Sequence, residues 1–206
     1  MVHPRHFPAE SAVDPRLTLL TGADWSRFMR RSLREAQRSV RFSLFIFSSR
    51  WRSLPSYAVN LLDECIATAE RGVDCRIVLG DVDKKAMSSK ANLRTVQMLS
   101  DAGWLVRVSQ QRMLHDKVYL FDDRISVIGS HNISQGSLMR NYETSVAIVC
   151  PEFARQVRAL WWQRWGDGVS GLAAVEAVLK HGAWRNSRSA PRTGTAVLQA
   201  AGITRK

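Results

Sequence analysis

The chain has 206 residues, 45% of them hydrophobic, and it carries a formal net charge of +12. A hydrophobic fraction of that size excludes a wholly disordered chain, and the sequence lacks the run of about 18 apolar residues that a transmembrane helix needs, so we expect no stable membrane association. The basic excess predicts a polyanionic partner, which could be nucleic acid or an anionic membrane surface. The remaining alternative is a solvated basic face that binds no ligand.

Helix and strand patterns alternate along the first half of the chain. Apolar residues at helical spacing predict helices, and short apolar runs rich in β-favouring residues predict strands. In chain order these are helix 24–38, strand 40–47, helix 57–70, strand 73–79, helix 92–102 and strand 104–108.

The second half begins with two adjacent strands. They cover 117–121 and 125–128, and the three residues between them suit a tight connection. Strand 143–150, helix 151–165 and helix 172–179 follow, and no strand signal is found after Gly166. This order predicts an α/β fold, with a mixed sheet flanked by helices on both faces.

The beginning of the chain and its cysteines bear on the cellular compartment. The first residues lack a basic segment that leads into an apolar stretch, which argues against a secretory signal. The three cysteines show no CxxC spacing, and their odd number favours free thiols in a reducing compartment. They are Cys65, Cys75 and Cys150. We therefore expect a cytoplasmic protein.

One short stretch concentrates polar side chains that suit phosphate chemistry. His115 and Lys117 are two residues apart near the start of a predicted strand, so their side chains project to the same side. Ser130 and Asn132 stand in the same relation after the next strand. If the two strands are neighbours, these four groups converge on one small volume. Lys117 would then supply charge to a phosphate, and Ser130 and Asn132 would supply hydrogen bonds to its non-bridging oxygens.

The stretch resembles the complete HKD signature of the phospholipase D superfamily, in residue types and in every internal spacing. The matching residues are His115, Lys117, Asp122, Gly129, Ser130 and Asn132. The resemblance covers roughly residues 24–165 and implies the fold of that family, with one motif in this chain. We expect a phospholipase D-like catalytic domain over 17–168, an irregular arm over 1–16, and a C-terminal helix with a basic tail over 169–206.

In the phospholipase D superfamily, the motif histidine attacks phosphorus and forms a covalent phosphohistidine. A second motif histidine protonates the leaving oxygen and then activates water, without a metal or another cofactor. In-line displacement puts nucleophile and leaving group on opposite sides of phosphorus, so one imidazole cannot serve both. Since this sequence holds one copy of the motif, the resemblance implies a homodimer with His115 as nucleophile, as in the small single-motif nucleases of the family.

The resemblance gives roles to further residues. In the single-motif nucleases, a glutamate at the place of Glu143 holds a histidine by its second nitrogen, which fixes the tautomer; a solvated surface position is the alternative. Asp122 is expected to hold the turn after its strand by side-chain to backbone bonds, and Gly129 is a structural member of the motif. His131 alternates away from its neighbours, which favours packing. The candidate catalytic residues are His115, Lys117, Asn132 and Glu143.

Basic and aromatic residues outside the motif are candidates for contact with nucleic acid. Arg50 and Arg52 follow the first predicted strand, and Lys84 and Lys85 follow the second. Loops beyond strand ends often border the site of an α/β sheet. Three tryptophans lie close together on one predicted helix, where core packing is favoured over base stacking. They are Trp161, Trp162 and Trp165. No histidine and cysteine spacing typical of a metal site is found.

These observations favour a metal-independent phosphodiesterase that cleaves DNA or RNA. The first alternative is a lipid phosphodiesterase or phosphatidyl transferase, which would want an apolar entrance, a membrane-binding surface and usually two motifs. The second alternative is a protein that binds nucleic acid without turnover. All three have a phosphodiester ligand, so the type of substrate has to be settled by assay.

Overall fold

The computed structural model describes residues 16–48, 59–80, 82, 87–109 and 113–181 of the chain. The strands within these residues are β1 (Arg16–Thr21), β2 (Ser39–Leu44), β3 (Asp74–Leu79), β4 (Leu105–Ser109), β5 (Lys117–Phe121), β6 (Ile125–Gly129), β7 (Thr144–Val149) and β8 (Gly168–Ser170). The helices are α1 (Gly22–Glu35), α2 (Val59–Glu70), α3 (Met87–Asp101), α4 (Gln135–Met139), α5 (Pro151–Asp167) and α6 (Gly171–His181).

The strands form one sheet in the order β1-β7-β6-β5-β2-β3-β4-β8. β2, β3 and β4 are parallel neighbours, because α2 and α3 carry the chain back between them. The other neighbouring pairs are antiparallel. The predicted mixed α/β sheet is confirmed, and the two strands of the motif, β5 and β6, are direct neighbours in it.

Successive side chains of a strand point to opposite faces of the sheet, and helices cover both faces. The core face carries Phe42, Ile77 and Tyr119, which belong to the main hydrophobic core with residues of α1, α2, α3 and α6. The α5 face carries the alternate residues, among them Val78, which packs with Trp161 of α5. The indole Nε1 of Trp161 donates to the carbonyl of Phe42 at 2.8 Å, and this bond fixes α5 over β2.

Arginines from three strands of the α5 face interleave with the tryptophans of α5. This set, here called the Arg–Trp ladder, comprises Arg41, Arg76, Arg107, Trp161, Trp162 and Trp165. The guanidinium carbons lie 4.7 to 5.9 Å from the ring centroids, within range of a cation–π attraction. Trp161 is 1% exposed and Trp162 is 40% exposed, so the ladder has a buried end and an edge in solvent.

Three short elements differ from the sequence-based expectation. The predicted arm ends at residue 16, but β1 begins there and pairs with β7. No strand is predicted after Gly166, but β8 pairs with β4. α6 adds Ala174, Val175 and Val178 to the main core. The predicted division of the chain at residue 168 stays a prediction. The third element that differs is α4, a five-residue helix directly after the motif, where no helix is predicted from the sequence.

Candidate active site

His115 lies two residues before the start of β5 and is exposed. Its ring centroid lies 5.3 Å from that of Phe45, which follows β2. His115 borders a pocket of about 110 Å³ together with Ser109, Met113, Leu114, Asp116, Arg164 and Asp167. The imidazole can therefore be reached from solvent, as an attack on a substrate requires.

Asp116, in the variable position of the motif, contacts the α5 face. Its Oδ2 accepts a hydrogen bond from Nε of Arg164 at 3.0 Å and another from Oγ of Ser43 at 3.3 Å. Arg164 belongs to α5, so the end of that helix is tied to the segment that carries His115. This contact could not be predicted from the sequence, because Arg164 is 48 residues away along the chain and no local pattern links it to the motif.

Lys117, the first residue of β5, is 6% exposed and lies beside His115. Its Nζ donates to the carbonyl oxygen of His115 at 2.7 Å and lies 5.7 Å from the ring centroid of Phe45. Burial lowers the pKa of Lys117, and the charges of Glu143 and Asp116 act in the opposite direction. A lysine fixed in this way offers a positive charge at a defined place beside the main chain of His115.

Gly129 and Ser130 end β6 against the start of β7. A Cβ at Gly129 would lie 2.3 Å from the carbonyl oxygen of Thr144 and 2.2 Å from Oγ of Ser145, so glycine is needed for this close approach. The backbone N–H of Ser130 donates to the carbonyl of Thr144 at 2.9 Å, and Oγ of Ser130 accepts the N–H of Thr144 at 3.0 Å. The hydroxyl of Ser130 is thus engaged by β7.

Asn132 is held by two contacts from other elements. Its Oδ1 accepts the backbone N–H of Ile46 at 3.2 Å, and its own N–H donates to Oγ of Ser137 at 2.9 Å. Ser137 is 3% exposed and lies on α4, whose N-cap residue Ser134 accepts the N–H of Ser137. Ser137 could not be identified from the sequence, since a five-residue helix leaves no periodic signal.

Glu143 precedes β7 and is partly buried. Its Oε1 accepts a hydrogen bond from Nδ2 of Asn141 at 3.1 Å. Desolvation raises the pKa of Glu143, but polar contacts with Ser130, Asn141 and Ser137 and the nearby His131 ring outweigh that effect and hold the pKa below its usual value. Among the described residues its hydrogen-bond partners are thus serine and asparagine side chains, while the predicted partner is a histidine.

His131 lies in the core beneath the site. It is fully buried, and its ring stacks on that of Trp25 at a centroid distance of 4.8 Å. Its Nδ1 is 2.8 Å from Oγ of Ser145, and its carbonyl oxygen accepts the hydroxyl of Tyr119 at 2.7 Å. Burial lowers the pKa of His131, with Glu143 opposing the effect, so a packing role fits this neutral ring.

Asp122 follows the last residue of β5, whereas His115 precedes the first, so the two lie at opposite ends of this strand. Its carboxylate accepts backbone N–H groups from Gln37, Arg38 and Ser39 at 3.0, 2.8 and 2.9 Å. It therefore anchors the connection between α1 and β2. The turn that it was expected to hold is closed by the N–H of Arg124, which donates to the carbonyl preceding Asp122 at 3.0 Å.

The described residues thus group most of the predicted site at one end of the sheet. His115 and Lys117 are hydrogen-bonded, Lys117 and Glu143 interact through their charges, and Ser137 joins Glu143 to Asn132. The four basic candidates outside the motif, Arg50, Arg52, Lys84 and Lys85, lie outside the described residues.

In the part of the chain that the structure describes, no group of three or more His, Cys, Asp or Glu side chains is arranged to hold a metal ion. Within the same residues, each helix is too short or too polar to cross a lipid bilayer.

Comparison with protein families gives a match over most of the chain. A family described as "Cardiolipin synthase, PLD-like domain" matches residues 29–165, which include the whole motif and Glu143. Among curated proteins, cardiolipin synthase A of Buchnera aphidicola subsp. Acyrthosiphon pisum (strain APS) is 29% identical over 98 residues, or 48% of this chain and 20% of that protein. The chain thus spans about a fifth of the length of the curated relatives that it matches first.

Solved structures share the fold. Nuc from Salmonella typhimurium, a phospholipase D family member, superposes with a TM-score of 0.65 at 21% identity, over 76% of this chain and 98% of Nuc. Phosphatidylserine synthase from Haemophilus influenzae Rd KW20 gives a TM-score of 0.60 at 14% identity, over 82% of this chain and 45% of the synthase. The shared unit is nearly all of Nuc and less than half of the synthase.

Proposed function

Because this chain belongs to the phospholipase D superfamily, we propose that it is a metal-independent nuclease that cleaves phosphodiester bonds of DNA or RNA through a covalent phosphohistidine on His115. The observation that carries the proposal is the connected group of polar contacts at one end of the sheet. In this group the buried ammonium of Lys117 donates to the main-chain carbonyl of the exposed His115, and Asn132 and Glu143 belong to the same group through Ser137 and through the charge of Lys117. A nucleophile, a cation and an amide donor are the groups that attack on a phosphate diester requires.

In the proposed reaction, a nitrogen of His115 forms a bond to phosphorus while the bond from phosphorus to the leaving oxygen breaks. A second imidazole gives its proton to that oxygen, then takes a proton from water. The water oxygen attacks phosphorus and releases His115. Lys117 and Asn132 bind the non-bridging oxygens as negative charge builds up, and Ser130 is a third candidate for this role, although its hydroxyl here accepts the N–H of Thr144.

The second imidazole is proposed to be His115 of the partner subunit in a homodimer. A two-fold axis through the pocket would bring the two rings to opposite sides of one phosphorus atom. In the assembled site Glu143 is proposed to hold a histidine nitrogen. Its pKa below the usual value supports this role, because the charged carboxylate is the form that stabilises an imidazolium.

The substrate class rests on charge. A net charge of +12 supports nucleic acid, which binds basic proteins through counterion release. A lipid phosphodiester is the second candidate, and two relatives favour it by their names, cardiolipin synthase A and phosphatidylserine synthase. Binding of nucleic acid without turnover is the third. The two enzymatic candidates require the same phosphate chemistry, so an assay across substrates separates them.

The variant His115→Ala should lose at least the ~10²–10⁴-fold typical of a general acid–base group, because it also lacks the nucleophile. Wild type and variant are incubated with plasmid, single-stranded DNA, RNA, and vesicles of phosphatidylcholine or phosphatidylglycerol, all in EDTA. Cleavage of nucleic acid by the wild type alone is the expected result. Affinity for nucleic acid should stay close to the wild-type value in the variant, as long as circular dichroism shows an unchanged fold.

A pair of lysine variants provides the matched control for charge. Lys117→Ala should weaken both cleavage and affinity, whereas Lys180→Ala removes the same charge from an exposed position on α6 and should leave cleavage unchanged. Lipid headgroup release with intact nucleic acid would favour the second candidate. Equal binding by wild type and His115→Ala without any cleavage would favour the third. Loss of wild-type cleavage on addition of EDTA would reject the metal-free reaction.

A further inference from the structure

An ion pair ties α5 to each end of β5. Beyond the last residue of the strand, Arg158 donates to the carboxylate of Asp123 at 2.7 Å. Before its first residue, Arg164 donates to the carboxylate of Asp116 at 3.0 Å. The side chain of Arg158 is 41% exposed and that of Arg164 is 36% exposed. The two pairs thus have the same chemistry and similar surroundings, but only the second lies next to His115 in the chain.

Asp116 is the residue through which the start of β5 is held. Its backbone carbonyl accepts the N–H of Phe45 at 3.1 Å. Its carboxylate accepts a hydrogen bond from Oγ of Ser43 at 3.3 Å, in addition to the bond from Arg164. Asp116 therefore joins the segment that contains the motif to β2 and to α5 at the same time.

The imidazole of His115 has no comparable anchor. It contacts the ring of Phe45 at a centroid distance of 5.3 Å and forms no hydrogen bond to the residues that the structure describes. Lys117 binds the backbone carbonyl of His115 and not its ring. The direction of the imidazole therefore depends on its backbone, which is fixed at the next residue, Asp116. In-line attack tolerates little misplacement, since a shift of about 1 Å can lower a rate on the order of 100-fold.

The last turn of α5 is held on both sides of Arg164. Trp161, one turn earlier, is 1% exposed and donates to the carbonyl of Phe42 at 2.8 Å. The carbonyl oxygen of Trp165 accepts a hydrogen bond from the guanidinium of Arg107, whose central carbon lies 4.7 Å from the ring centroid of Trp165. Arg164 thus reaches Asp116 from a fixed position over the sheet.

We infer that Arg164 is a positioning residue for the proposed reaction and fixes the direction of the His115 imidazole through Asp116. The inference rests on the proposed function, in which His115 attacks phosphorus. In this role Arg164 binds no part of the substrate and moves no proton. Its contact with Asp116 exists before the substrate arrives, so it acts on the rate of the chemical step and not on affinity.

The test compares Arg164→Met with the matched control Arg158→Met. Each variant removes one charge and one partly exposed ion pair between α5 and an end of β5, and each keeps most of the length of the side chain. Pairs of this kind contribute little to stability, so both variants should unfold close to the wild type. The constants kcat and KM are measured with a labelled oligonucleotide and with bis-para-nitrophenyl phosphate, a small diester that reaches only the reacting groups.

The variant Arg164→Met should lower kcat about 10–100-fold on both substrates and leave KM within about twofold of the wild-type value, because the nucleophile is misplaced while the substrate contacts persist. Arg158→Met should leave both constants close to those of the wild type. Arg164→Lys keeps the charge and a donor, and should recover part of kcat. Asp116→Ala should lower kcat as Arg164→Met does, and the double variant should lose no more than the larger single loss, because the two residues act as a unit.

A second measurement reads the ring of His115 directly. The imidazole Cε1–H signals of the free protein are recorded by NMR, and the signal of His115 is identified by its absence from His115→Ala. It should be unchanged in Arg158→Met, and it should move or broaden in Arg164→Met, because the ring samples further directions. This measurement needs no substrate. It therefore decides the inference even if the wild type cleaves neither diester, a result that would reject the proposed function.

Three results would overturn the inference. A raised KM with unchanged kcat for Arg164→Met on the oligonucleotide would assign Arg164 to substrate binding. Equal losses of kcat in Arg164→Met and Arg158→Met would assign the effect to the attachment of α5 in general. An unchanged His115 signal in Arg164→Met would show that the direction of the imidazole does not depend on this ion pair.

Discussion

Asp122 joins two stretches of the chain that are 84 residues apart in sequence, by accepting the backbone N–H of Arg38. The neighbouring N–H groups of Gln37 and Ser39 point at the same carboxylate. Desolvation raises the pKa of Asp122, but these three bonds and the charge of Arg38 outweigh it and bring the pKa below 3.8. In the motif, this aspartate therefore acts on the frame of the sheet at a distance from the phosphate.

The variant Asp122→Asn should be less stable than the wild type by about 1–3 kcal/mol at neutral pH, because backbone donors lose a charged acceptor. A carboxylate whose pKa is lowered on folding contributes stability above its unfolded pKa, and that contribution is lost as pH falls through the folded pKa. The difference between wild type and variant should therefore persist down to about pH 5 and shrink below 3.8. Urea unfolding at several pH values measures it, and a difference that stays constant down to pH ~3 would contradict this account.

The sequence predicts the members of the site better than their partners. Alternation along β5 relates His115 to Lys117, and spacing identifies Asn132 without any knowledge of the fold. The side chains that hold them come from elsewhere. Ser137 holds Asn132 from a helix of five residues, and Arg164 reaches Asp116 across 48 positions. Such contacts depend on tertiary packing, which neither alternation nor helical spacing encodes.

At the scale of elements, α5 is the helix whose packing determines the shape of the pocket. Its Arg–Trp ladder spans β2, β3 and β4, and its last turn carries Arg164 to Asp116. The tryptophans contribute apolar area, while the arginines keep their charge over the ring faces. A shift of α5 would thus move the wall of the pocket that borders His115.

Trp161 and Trp162 provide a matched pair for testing this packing. Trp161→Phe should lose about 2–4 kcal/mol of unfolding free energy, because it leaves a gap in a fully packed region and removes the donor to the carbonyl of Phe42. Trp162→Phe should lose less than about 1 kcal/mol, since its ring is 40% exposed. Urea unfolding of both variants gives the comparison. Equal losses would show that α5 is not anchored through the buried tryptophan.

The longer elements were predictable from sequence and the short ones were not. β5 is apolar after its first residue, β2 and β3 are rich in apolar residues with polar ones between them, and α1 has apolar residues at helical spacing, so each pattern matches its structure. β8 has three residues, too few for any period to be seen. β1 has six, but its leucines occupy both faces, at Leu19 and Leu20, and so hide the alternation that marks a half-buried strand.

At the scale of the whole molecule, part of the basic charge is paired within the chain. The four arginines of α1 all form ion pairs with carboxylates. They are Arg27 with Asp24, Arg31 with Glu35, and both Arg30 and Arg34 with Glu64. The formal charge of +12 belongs to the entire chain. The effect of this charge on binding is therefore best measured on the full chain, from the dependence of the association constant on salt concentration.

Binding of nucleic acid should weaken steeply with salt. For the non-cleaving variant His115→Ala, the logarithm of the association constant should fall against the logarithm of salt concentration with a slope of about −3 or steeper, as for roughly four neutralised phosphates. Fluorescence anisotropy of a labelled oligonucleotide between about 50 and 200 mM salt gives this slope. Uncharged phosphatidylcholine vesicles serve as the comparison. A slope near zero would argue against phosphate contacts as the source of affinity.

The pairing of β1 with β7 also governs when the sheet can be completed during synthesis. Arg16–Thr21 leaves the ribosome long before Thr144–Val149, so the first strand has to wait without its neighbour until that later strand has been made. Glu143 immediately precedes the later strand, which joins β6 on one side and β1 on the other. A nascent chain that stalls before this point holds the HKD residues without β7, and its first strand then has no edge of the sheet to join.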